Sequence, residues 1–140
     1  MTAETSRRLH RALCFGFGAA FVFAGFVKAR APQLFLVAIR GFRVLPDPFA
    51  AWLALGLPWL EIFCGLAVVS GWLRRGGLLL LNACLMAFLV AIAVAWARGL
   101  DIECGCFGGT FKSGVRTELA IDLVLLAIGL WLGRRRISFP

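Results

Sequence analysis

The residues of this chain best suited to chemistry are two cysteines separated by one glycine, Cys104-Gly105-Cys106. A disulfide between them would close a small ring, because only one residue separates the two cysteines. Their Cα atoms reach the usual separation of about 5.5–6 Å only when the backbone is extended. Such a bond is strained and easily reduced, and strained, exposed disulfides are the ones that exchange. Gly108 and Gly109 follow and would let the loop present the sulfurs to a partner. The spacing therefore predicts a redox pair.

Three other interpretations of Cys104 and Cys106 stay open. They could form a static disulfide, contribute half of a metal site completed by a second chain, or remain two idle thiols. A structural zinc ion takes four ligands, and no other Cys or His lies in the same loop. We therefore expect no metal site within one chain.

A second candidate site centres on Glu61, near the middle of the second of four predicted membrane spans. A charge there is costly and usually faces the interior of the bundle. Pro58 cannot donate its amide and should kink the helix beside this carboxylate. Lys28, at the outer end of the first span, is the predicted partner. The pattern favours a buried ion pair or a protonated carboxyl that fixes helix register, and the alternative is a proton or quinone site.

The remaining polar and sulfur-bearing residues of the spans are predicted to be structural. Asp122 lies about one turn inside the fourth span, where it can reach outward or pair with Arg116. Buried cysteines commonly act as small apolar residues. We therefore expect Cys14, Cys64 and Cys84 to serve packing, out of reach of the loop cysteines.

The composition places these residues in a membrane. The chain has 140 residues, of which 61% are hydrophobic, and its mean hydropathy is +0.91. A soluble domain of this size could not bury that much apolar surface. A soluble enzyme, a disulfide-rich secreted miniprotein and a disordered chain are therefore excluded.

The hydrophobic runs predict an all-α membrane protein, a single domain over residues 1–140 built as a four-helix bundle. About 20 helical residues cross the hydrocarbon core. Four segments fit this length, at about 9–27, 52–73, 76–97 and 117–133. After Pro32, the apolar segment Gln33–Phe42 is too short to cross, so we expect a short interfacial helix. Residues 98–116 then form the outer loop that carries the cysteine pair.

The first span could instead be a signal peptide, since a basic segment precedes it and Ala29-Arg30-Ala31 resembles a cleavage site. Lys28 and Arg30 crowd that position, and Pro32 would directly follow the cut. We therefore expect the segment to stay as a membrane span.

Arginine clusters beside the spans predict the topology. The chain carries a net charge of +8, and its basic residues lie in short groups next to apolar runs. The groups Arg7-Arg8, Arg74-Arg75 and Arg134-Arg135-Arg136 lie in the shorter loops, which favours a bacterial inner-membrane protein with both termini in the cytoplasm. The loop with the cysteines would then face the periplasm. These basic residues would lie at the lipid surface and leave no basic face for nucleic acid, so we expect no binding to nucleic acid.

Small residues at regular spacing predict close helix packing. Gly18 and Gly25 lie seven residues apart in the first span. Four alanines recur every four residues in the third span and form a groove that another helix could approach, namely Ala83, Ala87, Ala91 and Ala95. A compact bundle explains both patterns, and an oligomer that uses one of these faces is the alternative.

Taken together, these motifs resemble the DoxX-like superfamily and, within it, the MauE branch. The resemblance covers about residues 10–132, and the cysteine motif is its most specific part. The matching segments are Phe23-Ala24-Gly25-Phe26-Val27-Lys28, Leu57-Pro58-Trp59-Leu60-Glu61, Gly65, Gly71 and Cys104-Gly105-Cys106-Phe107-Gly108.

The resemblance implies a four-helix membrane protein that assists maturation of a disulfide-rich periplasmic client beside a thioredoxin-like protein. In methylamine utilisation, the process for which the family is named, the client is the small subunit of methylamine dehydrogenase. We therefore expect Cys104 and Cys106 to exchange disulfides with such a partner or client. The alternatives are a non-enzymatic assembly or stabilising subunit of a membrane complex and a small quinone-linked oxidoreductase subunit.

Overall fold

The computed structural model describes residues 2–100 and 115–135, and in these ranges it is all-helical. The helices are α1 (Ala3–Arg30), α2 (Pro32–Gly41), α3 (Phe49–Ser70), α4 (Arg74–Ala97) and α5 (Val115–Arg134). The predicted all-α class is confirmed.

Two helix boundaries differ from the prediction for local reasons. Helix α1 begins about two turns earlier than expected, because the Thr2 side chain caps it by accepting a hydrogen bond from the amide of Thr5. Helix α3 ends at Ser70 rather than near residue 73, because Gly71 adopts a left-handed conformation with φ of 82°. Glycine tolerates that conformation and commonly ends helices in this way.

Three helices, α1, α3 and α4, are long and apolar enough to cross a membrane. Helix α5 coincides with the predicted fourth span, but the four-span count is not confirmed. The first half of α5 carries three charged residues, Arg116, Glu118 and Asp122, whereas α1, α3 and α4 each contain an 18-residue window with two charges or fewer.

The predicted short helix is confirmed as α2. Pro32 occupies its first turn, where the missing amide proton is not needed. Helix α2 packs its buried side on the first half of α3 through a cluster made of Phe35, Ile39, Ala50, Ala54 and Leu57. This contact places α2 over the end of α1.

Helices α1 and α3 pack against each other at glycines, as predicted for Gly18 and Gly25. A Cβ atom added to Gly18 would lie 2.7 Å from the carbonyl oxygen of Gly65 on α3. A Cβ atom added to Gly25 would lie 2.7 Å from the carbonyl oxygen of Pro58. Close approach of the two backbones therefore requires glycine on both helices, and the packing role of Gly65, which the sequence marked only through the family resemblance, was not predicted.

A hydrophobic cluster contributed by α1, α3, α4 and α5 fills the bundle on the side away from α2. Its most buried members are Cys14, Phe17, Val68, Leu81 and Leu132. Two of the four alanines of α4 do not enter the core: Ala83 and Ala87 are exposed. Together with Ala91, they line an open apolar groove between α2, α3 and α4, so the bundle described here does not fill the groove that the alanine spacing predicted.

Candidate functional site

Glu61 is buried inside the bundle because of its place on α3. Every third or fourth residue of this helix faces inward, and Ala54, Leu57, Pro58, Glu61 and Cys64 follow that stripe. Glu61 is only 1% exposed. Pro58 lies one turn earlier on the same buried stripe, and the kink expected there stays a prediction.

Lys28 reaches Glu61 from the last turn of α1. Its Nζ donates to Oε1 of Glu61 at 2.8 Å and to Oε2 at 2.9 Å. Both side chains are almost fully buried, with 3% and 2% of their surface exposed. The predicted ion pair is therefore confirmed, and both oxygens of the carboxylate are occupied.

Gly25 allows this pairing because it lies one turn before Lys28. The Cα of Gly25 faces the carbonyl oxygen of Pro58, and an added Cβ would also come within 3.2 Å of the Glu61 Cβ. Any larger residue at this position would separate α1 from α3 where the ion pair forms. The segment from Gly25 to Lys28 therefore works together with Pro58 and Glu61 as one packing unit.

Two aromatic rings enclose the Lys28 ammonium. The Nζ atom lies 5.1 Å from the centre of the Phe35 ring on α2 and 5.3 Å from the centre of the Phe88 ring on α4. Rings at this distance attract a cation through their electron-rich faces. The two phenylalanines were not predicted, and α2 and α4 thus close the site from two sides.

The prediction that Asp122 reaches outward or pairs with Arg116 is wrong. Asp122 is 4% exposed, while Arg116 is exposed. The reason is the inward stripe of α5, which contains Glu118, Asp122, Gly129 and Leu132 at helical spacing. Within residues 2–100 and 115–135, Oδ2 of Asp122 has no hydrogen-bond partner.

The apolar interior of the bundle therefore holds four buried charged side chains. Two of them form the Lys28–Glu61 pair, and the other two are the acids Glu118 and Asp122. A buried ion pair with both partners present is tolerated, whereas removal of one partner leaves an uncompensated charge. The ion pair joins α1 to α3, which is the structural role that the sequence favoured for Glu61.

The cysteines divide into two groups. Cys14 and Cys64 are buried, Cys84 is half-buried, and all three are free thiols. Their positions agree with a packing role. Cys104 and Cys106 lie outside the described residues, so the predicted redox pair stays a prediction.

Both ends of the segment with the cysteines are anchored at the same end of the bundle. Leu100, after α4, and Leu119, in the first turns of α5, pack against one cluster formed by Phe42, Ile92 and Ala95. Residues 101–114, which lie outside the described ranges, connect α4 to α5 in the sequence, and α1 finishes at the end of the bundle where α4 ends and α5 begins. This is the half of the bundle that holds the ion pair.

Comparison with known proteins gives a consistent result. The family model described as methylamine utilisation protein MauE matches residues 6–134. The chain is 36% identical over 112 residues to the methylamine utilization protein MauE of Paracoccus denitrificans. The aligned region covers 79% of this chain and 60% of that protein. The chain is 36% identical over 114 residues to the protein of the same name from Methylorubrum extorquens, covering 78% and 61% respectively.

A third relative is the methylamine utilization protein MauE of Methylophilus methylotrophus, which is 37% identical over 84 residues, 59% of this chain and 44% of that protein. The chain thus spans about three fifths or less of the length of these relatives. No solved structure matches the chain significantly.

Proposed function

This chain belongs to the MauE family, and from that premise we propose that it is a membrane-embedded factor that exchanges disulfides through Cys104 and Cys106. The observation that carries the proposal is the Cys104-Gly105-Cys106 motif. The described bundle supports it by anchoring both ends of residues 101–114 at one end, through Leu100 and Leu119.

The exchange uses ordinary thiol–disulfide chemistry. A thiolate of one cysteine attacks a sulfur of the partner's disulfide, a mixed disulfide forms, and the partner's other sulfur leaves as a thiolate. The second cysteine then attacks the mixed disulfide. The products are a Cys104–Cys106 disulfide and a reduced partner, and the reverse reaction oxidises a client dithiol by the same steps.

The proposed partners are a periplasmic thioredoxin-like protein and a disulfide-rich client. The relatives are named for methylamine utilisation, and we extend a role in that process to this chain as part of the proposal. In this account the chain serves maturation of a client rather than metabolism of a small molecule.

The proposed topology follows from charge. Helix α5 is the fourth span, both termini lie in the cytoplasm, and the protein resides in the bacterial inner membrane. The arginines of the first turns of α1, of the start of α4 and of the end of α5 support this orientation. Residues 98–116 then face the periplasm, where a disulfide can persist.

A second candidate function is a non-enzymatic assembly or stabilising subunit, in which the cysteines form a static clip. The fully engaged Lys28–Glu61 pair favours a structural role for the membrane interior. The same pair weighs against a quinone or proton site at Glu61, since both carboxylate oxygens already accept hydrogen bonds from Lys28.

The test is capture of mixed disulfides in membranes. Single variants Cys104→Ser and Cys106→Ser each retain one thiol and cannot resolve the intermediate. We expect one of them to accumulate a covalent adduct with a thioredoxin-like protein, which is cleaved by reductant. The double variant is the matched control, and absence of an adduct from both single variants would contradict disulfide exchange.

A further inference from the structure

The proposed function does not use the open apolar groove between α2, α3 and α4. Its volume is about 480 Å³, within the range of ligand pockets. Ala83, Ala87 and Ala91 form one wall and present only methyl groups, so the space between the helices stays open. Leu53, Leu57 and Phe42 line the opposite side.

The shape of this groove suits a single hydrocarbon chain. Along α4, its lining residues run from Leu80 to Ala91, a length of about 16 Å at the helical rise. Apart from the thiol of Cys84, the lining side chains are hydrocarbon. The groove follows the axis of α4, which is the direction of an acyl chain in a bilayer when α4 spans it.

Cationic side chains lie at one end of the groove. Arg98 follows Ala91 by seven residues and so continues the same stripe of α4. Its Nη1 donates to the carbonyl oxygen of Arg43 at 3.1 Å, which holds the two residues together. Arg43 directly precedes Val44 and Leu45, and both of these line the groove.

The structure describes only part of the charge at this end, because Asp101 and Glu103, which follow Arg98 in the sequence, lie outside the described residues. Asp47 is the exposed acid at this end within the described ranges, and it pairs with Arg40 at 3.1 Å. Glu61, Glu118 and Asp122 are buried in the interior. Arg43 and Arg98 are both exposed, and guanidinium groups bind phosphate through paired hydrogen bonds.

We propose that this groove is a binding site for an anionic phospholipid, with one acyl chain between α3 and α4 and the phosphate head group at Arg43 and Arg98. Charge complementarity selects a lipid of net negative charge, and the alanine wall provides the room for its chain. The proposed site uses no residue of the cysteine motif, so its test is independent of the redox proposal.

Native mass spectrometry of the full chain in detergent tests this site with two added lipids, a phosphatidylglycerol and a phosphatidylcholine with the same acyl chains. We expect the parent protein to retain phosphatidylglycerol at about tenfold lower concentration, because both head groups carry the phosphate but phosphatidylcholine adds a choline cation that the two arginines repel. The double variant Arg43→Gln/Arg98→Gln should lose that preference. Arg75→Gln, an exposed arginine at the other end of α4, is the matched control and should keep it.

The groove itself is tested by Ala87→Phe, which should lower retention of both lipids. Ala93→Phe is the matched control, because Ala93 is exposed on the same helix and does not line the groove. Helix content and elution volume establish that each variant is folded. If Ala87→Phe does not fold, lipid retention by the double variant Arg43→Gln/Arg98→Gln tests the proposal.

Equal retention of the two lipids by the parent protein would overturn the proposal. Unchanged binding by the arginine double variant would also overturn it. A dimer that persists in excess lipid and disappears in Ala87→Phe would show that a second copy of the chain fills the groove instead.

Discussion

Lys28 and Glu61, which lie 33 positions apart in the sequence, meet in the interior of the bundle with the ammonium 2.8 Å and 2.9 Å from the two carboxylate oxygens. The pair joins the last turn of α1 to the middle of α3, and rings from α2 and α4 cover it. Side chains from four helices therefore meet at one buried ion pair.

The first prediction concerns the loss of one partner from this pair. Glu61→Leu leaves the Lys28 ammonium buried and unpaired, which should lower the free energy of unfolding by about 3–5 kcal/mol. Glu61→Gln keeps the shape and one acceptor oxygen and should cost less. Reversible unfolding of the chain in detergent measures both values.

The matched control for that prediction is the double variant Lys28→Met/Glu61→Leu. Removing both charges together should recover much of the stability, because no buried charge is left unpaired. If Glu61→Leu alone is as stable as the parent, the ion pair does not hold the helices together.

The second prediction concerns the close approach of α1 and α3. In Gly18→Ala, the new Cβ would lie 2.7 Å from the carbonyl oxygen of Gly65, so the helices must separate. We expect a loss of about 1–3 kcal/mol in unfolding free energy. Gly16→Ala is the control, because its Cβ meets nothing within 4 Å, and it should raise stability by about 0.5–1 kcal/mol through helix propensity. Equal effects of the two substitutions would contradict this packing.

The third prediction concerns orientation in the membrane. Reporter fusions in the turn after Ser70 and after Gly133 should both report the cytoplasm, because arginines cluster beside these positions. A periplasmic signal at either position would reverse the orientation. It would also place Cys104 and Cys106 in a reducing compartment, where a stable disulfide does not persist.

The fourth prediction concerns thiol labelling in membranes. A charged, membrane-impermeant maleimide should label Cys104 and Cys106 after reduction and leave Cys14 and Cys64 unlabelled, because protein covers the latter two. Cys84 is half-buried and lines the apolar groove, so we expect a small lipid-soluble maleimide to label it while the charged reagent does not. Labelling of Cys14 or Cys64 by the charged reagent would show that the bundle is open to water.

The sequence predicted the fold class and the ion pair because both depend on features that one chain reveals locally. Lys28 and Glu61 are charges next to or within apolar runs, and Pro58 marks the helix in which the acid lies. The contacts of Phe35 and Phe88 with Lys28 could not be predicted from the sequence, because they depend on how α2 and α4 cross the other helices.

Asp122 was misjudged for a similar reason. Its distance of about one turn from the end of the span suggested that it reaches the interface, whereas the rotation of α5 directs it inward beside Glu118. The alanine spacing predicted a groove in α4 correctly, but not that the groove would stay open. Helix rotation and crossing geometry are set by the whole bundle and leave no local signal.

The reduction potential of the Cys104–Cys106 pair tests the central claim most directly. Titration of the purified chain against thiol buffers of known potential, read out by labelling of the free thiols, gives this value. A potential of roughly −120 to −270 mV, the range of exchange catalysts, is what disulfide exchange predicts. A potential below about −300 mV would mark a static structural disulfide and contradict the proposed function.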